Sequence, residues 1–117
     1  MNDKEKIEKA LEKITKIIDK YEKDPDYYGY EVDTNKEYID EYFDDIKNAL
    51  LDSTVSDEVK IKNALVCIYS QLDELLDMGH NHDQVSDLKK VKSILGQIPA
   101  LEKQLRQFQR ELRTWYG

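Results

Sequence analysis

The sequence predicts an all-α protein, a mostly antiparallel bundle of four to five helices. Apolar residues recur at alternating spacings of four and three along the chain, which is the period of a helical stripe and not the period of two typical of a strand. Charged residues make up 37% of the chain and hydrophobic residues 39%. This balance suits long helices that bury one stripe and expose a charged remainder. Four or five helices at this spacing imply a mostly antiparallel bundle.

The first helix is expected from about Asp3 to Lys23, with Asn2 and Glu5 forming a capping box at its start. Pro25 ends this helix, because proline lacks the backbone donor that a helix interior needs. The following segment, 24–33, is a tyrosine-rich connection. The stripe of the first helix consists of Ile7, Leu11, Ile14, Ile18 and Tyr21.

The second helix is expected from Thr34, with Glu37 completing another capping box, to about Asp52. The third is expected to begin near Ser56 and to end at Gly79, a plausible C-terminal cap. Its apolar stripe is the widest in the chain, so we expect it to be the most buried helix. That stripe consists of Ile61, Leu65, Ile68, Leu72 and Leu75.

The fourth helix is expected to begin at 81–83, and Gly96 and Pro99 then interrupt the pattern. The last helix is therefore either kinked near Gly96–Pro99 or separate from the fourth, and the sequence leaves both alternatives open. Its stripe persists almost to the chain end, which also permits a homodimer with this stripe as the oligomer seam. The candidate seam residues are Leu101, Leu105, Phe108, Leu112 and Trp115.

Length and composition favour a single domain spanning residues 1–117. The single cysteine, Cys67, excludes an internal disulfide, and its apolar neighbours predict a buried thiol. No stretch approaches the ~18 consecutive apolar residues of a membrane span. The charged N-terminus lacks the apolar core of a signal peptide, so we expect a cytoplasmic protein.

Acidic residues are concentrated in one part of the chain. The net charge is −7, and residues 19–58 alone carry a net charge of −10. Six of the eight tyrosines lie in the same segment. Direct binding of nucleic acid is not expected from such a protein, because backbone phosphates require clustered lysine and arginine.

Five acids of the second helix form a ridge that we call the acidic ridge: Glu37, Asp40, Glu41, Asp44 and Asp45. Their spacing places neighbouring carboxylates on one helix face, where like charges repel. One interpretation is an ordinary solvated face, with the nearby tyrosines packed into the core and the loop. The other is a docking face for a basic protein, of which mimicry of a nucleic-acid strand is a narrower version.

The functional prediction is a small acidic protein that binds a basic, nucleic-acid-handling partner through the acidic ridge together with Tyr27, Tyr28 and Tyr30. Tyrosine is favoured at interfaces because it combines a large rigid surface with a polar tip. Immunity proteins, antitoxins and phage-encoded inhibitors share this size and composition. The run Asp26-Tyr27-Tyr28 resembles the acid-and-paired-tyrosine patch of nuclease-type colicin immunity proteins. A homo-oligomeric assembly scaffold is the alternative.

A second alternative is an enzyme. The pairs Glu41 with Asp44 and Glu74 with Asp77 resemble the acids of MazG-type nucleotide pyrophosphohydrolases, which would imply bound Mg²⁺. The first acid pair of that family is normally two glutamates. In this sequence, no cluster of Lys or Arg lies nearby to hold a triphosphate.

The remaining chemistry-bearing residues do not predict a site. The stretch His80-Asn81-His82-Asp83 is more simply an inter-helix turn than a metal site. We therefore predict no catalytic residue, metal or cofactor. A basic face on the last helix, which consists of Lys103, Arg106, Arg110 and Arg113, is expected to pair with the acidic ridge, within the chain or across a dimer.

Overall fold

The computed structural model describes residues 2–23, 32–78 and 82–116, and these form a bundle of five α-helices. The helices are α1 (Asp3–Lys23), α2 (Val32–Leu50), α3 (Asp57–Met78), α4 (His82–Leu95) and α5 (Pro99–Tyr116). The predicted all-α class is confirmed, and no strand occurs in the described ranges. The start of α2 differs from the prediction: the helix begins two residues before Thr34, so Thr34 is not its N-cap.

The first helix begins as its sequence predicts. The backbone N–H of Glu5 donates a hydrogen bond of 2.9 Å to the side-chain oxygen of Asn2. Asn2 also accepts a bond of 3.1 Å at its carbonyl from the N–H of Lys6. The bond from Glu5 satisfies a donor that the first turn of a helix cannot pair internally, and the bond from Lys6 is the first backbone bond of the helix.

The helix is interrupted between α4 and α5. Of the two alternatives, a kinked helix and a separate last helix, the structure therefore shows the separate helix. Gly96 has a φ of 117°, a backbone conformation that residues with a side chain rarely adopt. Its N–H donates a 2.8 Å bond to the carbonyl of Lys92, which closes the last turn of α4. Pro99 then occupies the first position of α5, where its missing donor carries no penalty.

We expect Gly96→Ala to lower the free energy of unfolding by about 1–2 kcal/mol, because a Cβ strains this backbone conformation. The space around the residue is not the cause, since a Cβ built at Gly96 would meet no atom within 4 Å. Chemical denaturation would measure the loss. Gln97→Ala is the matched control: this exposed neighbour should change stability by less than about 0.5 kcal/mol.

A short turn, residues 51–56, joins α2 to α3, and the two helices pack against each other. Within it, Asp52 Oδ1 accepts hydrogen bonds from the hydroxyl of Thr54 at 2.6 Å and from its N–H at 3.0 Å. These bonds, the hydroxyl first, lower the pKa of the Asp52 carboxyl. Ser56 Oγ then accepts a 3.3 Å bond from the N–H of Val59 and caps α3.

The third helix is the centre of the bundle and packs against all four other helices. One hydrophobic cluster contains residues of every helix. Burial of these apolar side chains is the main source of stability in such a domain. The largest fully buried side chains are Phe43, Ile14, Ile46, Leu50, Ile68, Leu72, Leu75, Leu88, Leu95 and Val91.

Within the described ranges, no helix has the length and apolar character that crossing a membrane requires.

Candidate functional site

The structure describes part of the predicted docking face. Tyr27, Tyr28 and Tyr30 lie outside the described residues. Glu37 and Asp40 lie on α2, but their side chains are outside the described part. The other three members of the acidic ridge, Glu41, Asp44 and Asp45, have described side chains and are exposed.

A groove between α2 and α3 runs beside the acidic ridge. The sequence did not predict this groove. Its volume is about 440 Å³. Glu41 and Asp45 line it from α2, and Glu74 lines it from α3, so carboxylates border both sides. We call this feature the α2–α3 groove. Its other lining residues are Tyr42, Val66, Cys67, Ser70 and Gln71.

The lining of the α2–α3 groove is partly apolar as well as acidic. Val66 remains 46% exposed, although it lies on the most extensively packed helix. Val59, seven residues earlier on the same face of α3, is also exposed. Tyr42 is half-buried and packs its side chain against the hydrophobic core. An exposed apolar strip beside carboxylates is a surface that can contact a chain carrying both apolar and basic groups.

None of the three described acids of the ridge forms an ion pair with another described side chain. Some acids of the other helices do form such pairs. Glu12 pairs with Lys16 at 3.2 Å on α1, and Asp57 pairs with Lys60 at 3.1 Å on α3. The negative charge of Asp44 and its neighbours is therefore not neutralised locally by the described residues.

We expect Asp44→Lys to raise the free energy of unfolding by roughly half a kcal/mol, because it replaces like-charge repulsion on α2 by i,i+3 and i,i+4 attraction. Thermal and chemical denaturation at low salt would detect the gain. Glu12→Lys is the matched control, and there the sign is opposite, since it removes the attraction to Lys16. A ridge that contributes to folding would instead make both changes destabilising.

Cys67 lies in the α2–α3 groove and is half-buried, so the predicted full burial of its thiol is wrong. Burial first, and then the negative charge of Asp45, raise the pKa of this thiol. A raised pKa lowers the fraction of reactive thiolate at neutral pH.

The basic face of α5 does not pair with the acidic ridge inside the chain, and this predicted alternative is wrong for the described residues. Among the described helices α5 packs against α3 and has no contact with α2. Arg106 instead approaches Glu102 on its own helix, at 4.0 Å. Lys103, Arg106 and Arg110 line a separate groove of about 490 Å³ along α5. The pairing across a dimer stays a prediction.

A polar network that the sequence analysis missed fastens α5 to α3 and α4. Glu102 accepts a short hydrogen bond from the Tyr69 hydroxyl and bonds of 3.1 and 3.0 Å from the Lys92 ammonium. Lys92 also lies 5.3 Å from the centre of the Tyr69 ring, within range of a cation–π contact. The side chains of Lys92 and Glu102 are only 11% and 14% exposed. This ion pair is therefore shielded from solvent, unlike the surface pairs.

The opposing effects on Glu102 show which interaction dominates this network. Burial raises the pKa of its carboxyl, but the hydrogen bonds from Tyr69 and Lys92 and the positive charges of Lys92 and Arg106 lower it, and the net pKa is lowered. Burial and the bond to Glu102 raise the pKa of Tyr69 to about 12. Both shifts favour an ionised carboxylate that accepts a hydrogen bond from a neutral phenol.

The candidate seam on α5 is used partly within the chain. Leu105 is 3% exposed and belongs to the hydrophobic core, and Leu101 packs against that core. Phe108 is half-buried, while the side chains of Leu112 and Trp115 lie outside the description. The first residues of the stripe thus pack into the core of their own chain, so Leu105 is not available to a second copy in this structure.

The predicted acid pairs and the histidine stretch do not come together as a metal centre in the described part of the chain. Glu41, Asp44, Glu74 and Asp77 all have described side chains, and no group of three or more potential ligands able to hold a metal forms among the described residues. Of the stretch 80–83, no side chain is described.

The apolar contribution of α3 to the site was missed from the sequence, although Glu74 was considered together with Glu41 in the enzyme alternative. A signal was present: Val59 and Val66 carry apolar side chains off the core stripe of α3, at a spacing of two helical turns. Their pairing with Glu41 and Asp45 depends on how α2 lies on α3, which the spacing alone does not define.

Comparison of the chain with protein-family models, with curated proteins and with solved structures found no match.

Proposed function

We propose that this protein binds a basic protein partner through the acidic ridge and the adjoining α2–α3 groove, and that it acts as an inhibitor of the immunity or antitoxin type. The partner would be a nucleic-acid-handling protein, whose basic surface is occupied when the acidic face covers it. The protein would meet this partner in the cytoplasm, where the unpaired thiol of Cys67 would stay reduced.

The observation that carries the proposal is the set of exposed, unpaired carboxylates at Glu41, Asp44 and Asp45. Like charges at this spacing destabilise a helix by a few tenths of a kcal/mol per pair. On α1, by contrast, Glu12 has a lysine partner in Lys16. Selection for stability alone does not explain the arrangement on α2, whereas selection for binding a cation does.

The α2–α3 groove supports the proposal in a second way, because charge alone gives fast encounter but little specificity or dry contact area. The exposed side chain of Val66 and the half-buried Tyr42 supply apolar surface next to the charge. Interfaces combine such an apolar centre with a charged rim. Inhibition in this arrangement is steric and electrostatic, and it requires no bond to be made or broken by this chain.

The proposal is tested by capture of partners from a lysate of the native host at low and at moderate salt, read by mass spectrometry. Three proteins are compared: the wild type, a ridge variant (Glu41→Lys, Asp44→Lys, Asp45→Lys) and a control variant on α1 (Glu8→Lys, Glu12→Lys, Glu22→Lys). The two variants have the same net charge.

We expect the wild type and the α1 variant to retain the same basic protein, more weakly as salt rises, and the ridge variant to lose it. Equal retention by all three proteins would contradict the proposal. Equal loss in both variants would show that net charge, and not this face, governs binding.

A further inference from the structure

Gln71 is the one groove residue whose polar side chain is both buried and incompletely hydrogen-bonded in the described structure. It is only 6% exposed. Its Nε2 donates a 2.9 Å hydrogen bond to the backbone carbonyl of Tyr42, which fixes the amide orientation because a carbonyl can only accept. Its Oε1 is left without any donor from the described chain.

An unpaired buried acceptor is unfavourable, since its desolvation is not offset by a hydrogen bond. Gln71 lines the α2–α3 groove together with Glu41, Asp45 and Glu74. A ligand in this groove contacts three carboxylates and the side chain of Gln71, whose Oε1 is the acceptor left without a partner. A ligand suited to this groove carries several N–H donors and a positive charge.

We infer that the α2–α3 groove binds an arginine side chain of the basic partner, an inference that rests on the proposed function. A guanidinium presents five donors in a plane, so it can serve Gln71 Oε1 and a carboxylate of the groove at the same time. It is also more weakly hydrated than an ammonium, which favours it in a half-enclosed groove. The aliphatic part of the arginine would lie against the exposed side chain of Val66.

The single cysteine provides a direct report of groove occupancy, because Cys67 lines the same groove. The intact protein is titrated with two synthetic peptides of equal length and charge, in which arginine or lysine alternates with glycine. Calorimetry gives the two affinities, and the rate of Cys67 alkylation by iodoacetamide is followed by mass spectrometry in each mixture.

We expect the arginine peptide to bind about tenfold more tightly than the lysine peptide, the size of one hydrogen bond to a charged group. It should also slow the alkylation of Cys67 several-fold, by the general effect of an occluded thiol. Gln71→Met should remove the preference for arginine, while Gln104→Met, an exposed glutamine on α5, should leave it unchanged. The alkylation experiment needs only the wild type, so it tests the inference even if Gln71→Met fails to fold.

Equal affinities with an unchanged alkylation rate would overturn the inference, and the ridge itself would then be the binding surface. Preference for arginine that survives Gln71→Met would also overturn it. The proposed function fails separately, when the ridge variant and the α1 variant retain the same partners from the host lysate.

Discussion

Glu102→Gln is expected to lower the free energy of unfolding by about 2 kcal/mol, somewhat less than the ~3–5 kcal/mol for removing a whole partner of a buried ion pair. The change leaves the Lys92 ammonium, which is 11% exposed at its side chain, without its counter-charge. It also weakens the bond that the Tyr69 hydroxyl donates. The amide oxygen still accepts one hydrogen bond, which is why the loss is below the full value.

The pH dependence of this loss distinguishes the ion pair from simple packing. The pKa of Glu102 is lowered below the ordinary value of 4.5 in the folded chain. Its contribution is therefore present above pH 4.5 and is lost as the pH falls through the lower, folded value. The difference in stability between the wild type and Glu102→Gln should shrink over that range. Denaturation from pH 7 downward would measure it.

Glu111→Gln is the matched control for this prediction, because Glu111 is an exposed acid of the same helix. Its effect should stay below about 0.5 kcal/mol at every pH. A loss at Glu102 that is equally small, or one that does not change with pH, would contradict the assignment of Glu102 as the residue that fastens α5 to α3 and α4.

Leu105→Asp is expected to destabilise the chain by about 4 kcal/mol or more, because it places an unpaired carboxylate in an apolar core. Leu105 is 3% exposed and packs within its own chain. The expected result is a loss of helical circular dichroism at any protein concentration. Leu105→Met, which keeps the volume and polarity, should change stability by less than about 1.5 kcal/mol.

The same variant separates the core role of Leu105 from a role in the oligomer seam. A protein that keeps the wild-type melting temperature at high dilution, and loses only a dimer seen by light scattering, would contradict the core assignment. Loss of folding without any change that depends on concentration would support it.

The helices were predictable from the sequence because the period of the apolar residues is a local property. The stripe that includes Ile7, Ile14 and Ile18 defines α1 with its observed bounds, and Gly96 and Pro99 place the break before α5. The start of α2 was less predictable. Thr34 and Glu37 match a capping box, but the helix already begins two residues earlier, at Val32. Helix ends depend on backbone contacts that a residue pattern only approximates.

The candidate site was predictable only on the α2 side. The spacing of Glu41, Asp44 and Asp45 along the sequence is enough to show that these acids share one face of a helix. The partners on α3 depend on packing between helices, so Gln71 and Glu74 could not be assigned to the same groove from spacing alone. The Tyr69–Lys92–Glu102 network was missed for the same reason, because its members lie on three helices.

The central claim, that the partner docks on the acidic ridge and the α2–α3 groove, is tested most directly by hydrogen–deuterium exchange of the protein alone and in complex with the basic protein retained from the lysate. We predict slower exchange over residues 41–48 and 63–74 in the complex, with 99–113 unchanged. Slower exchange over 99–113, with none around the groove, would contradict the claim and assign the interface to α5.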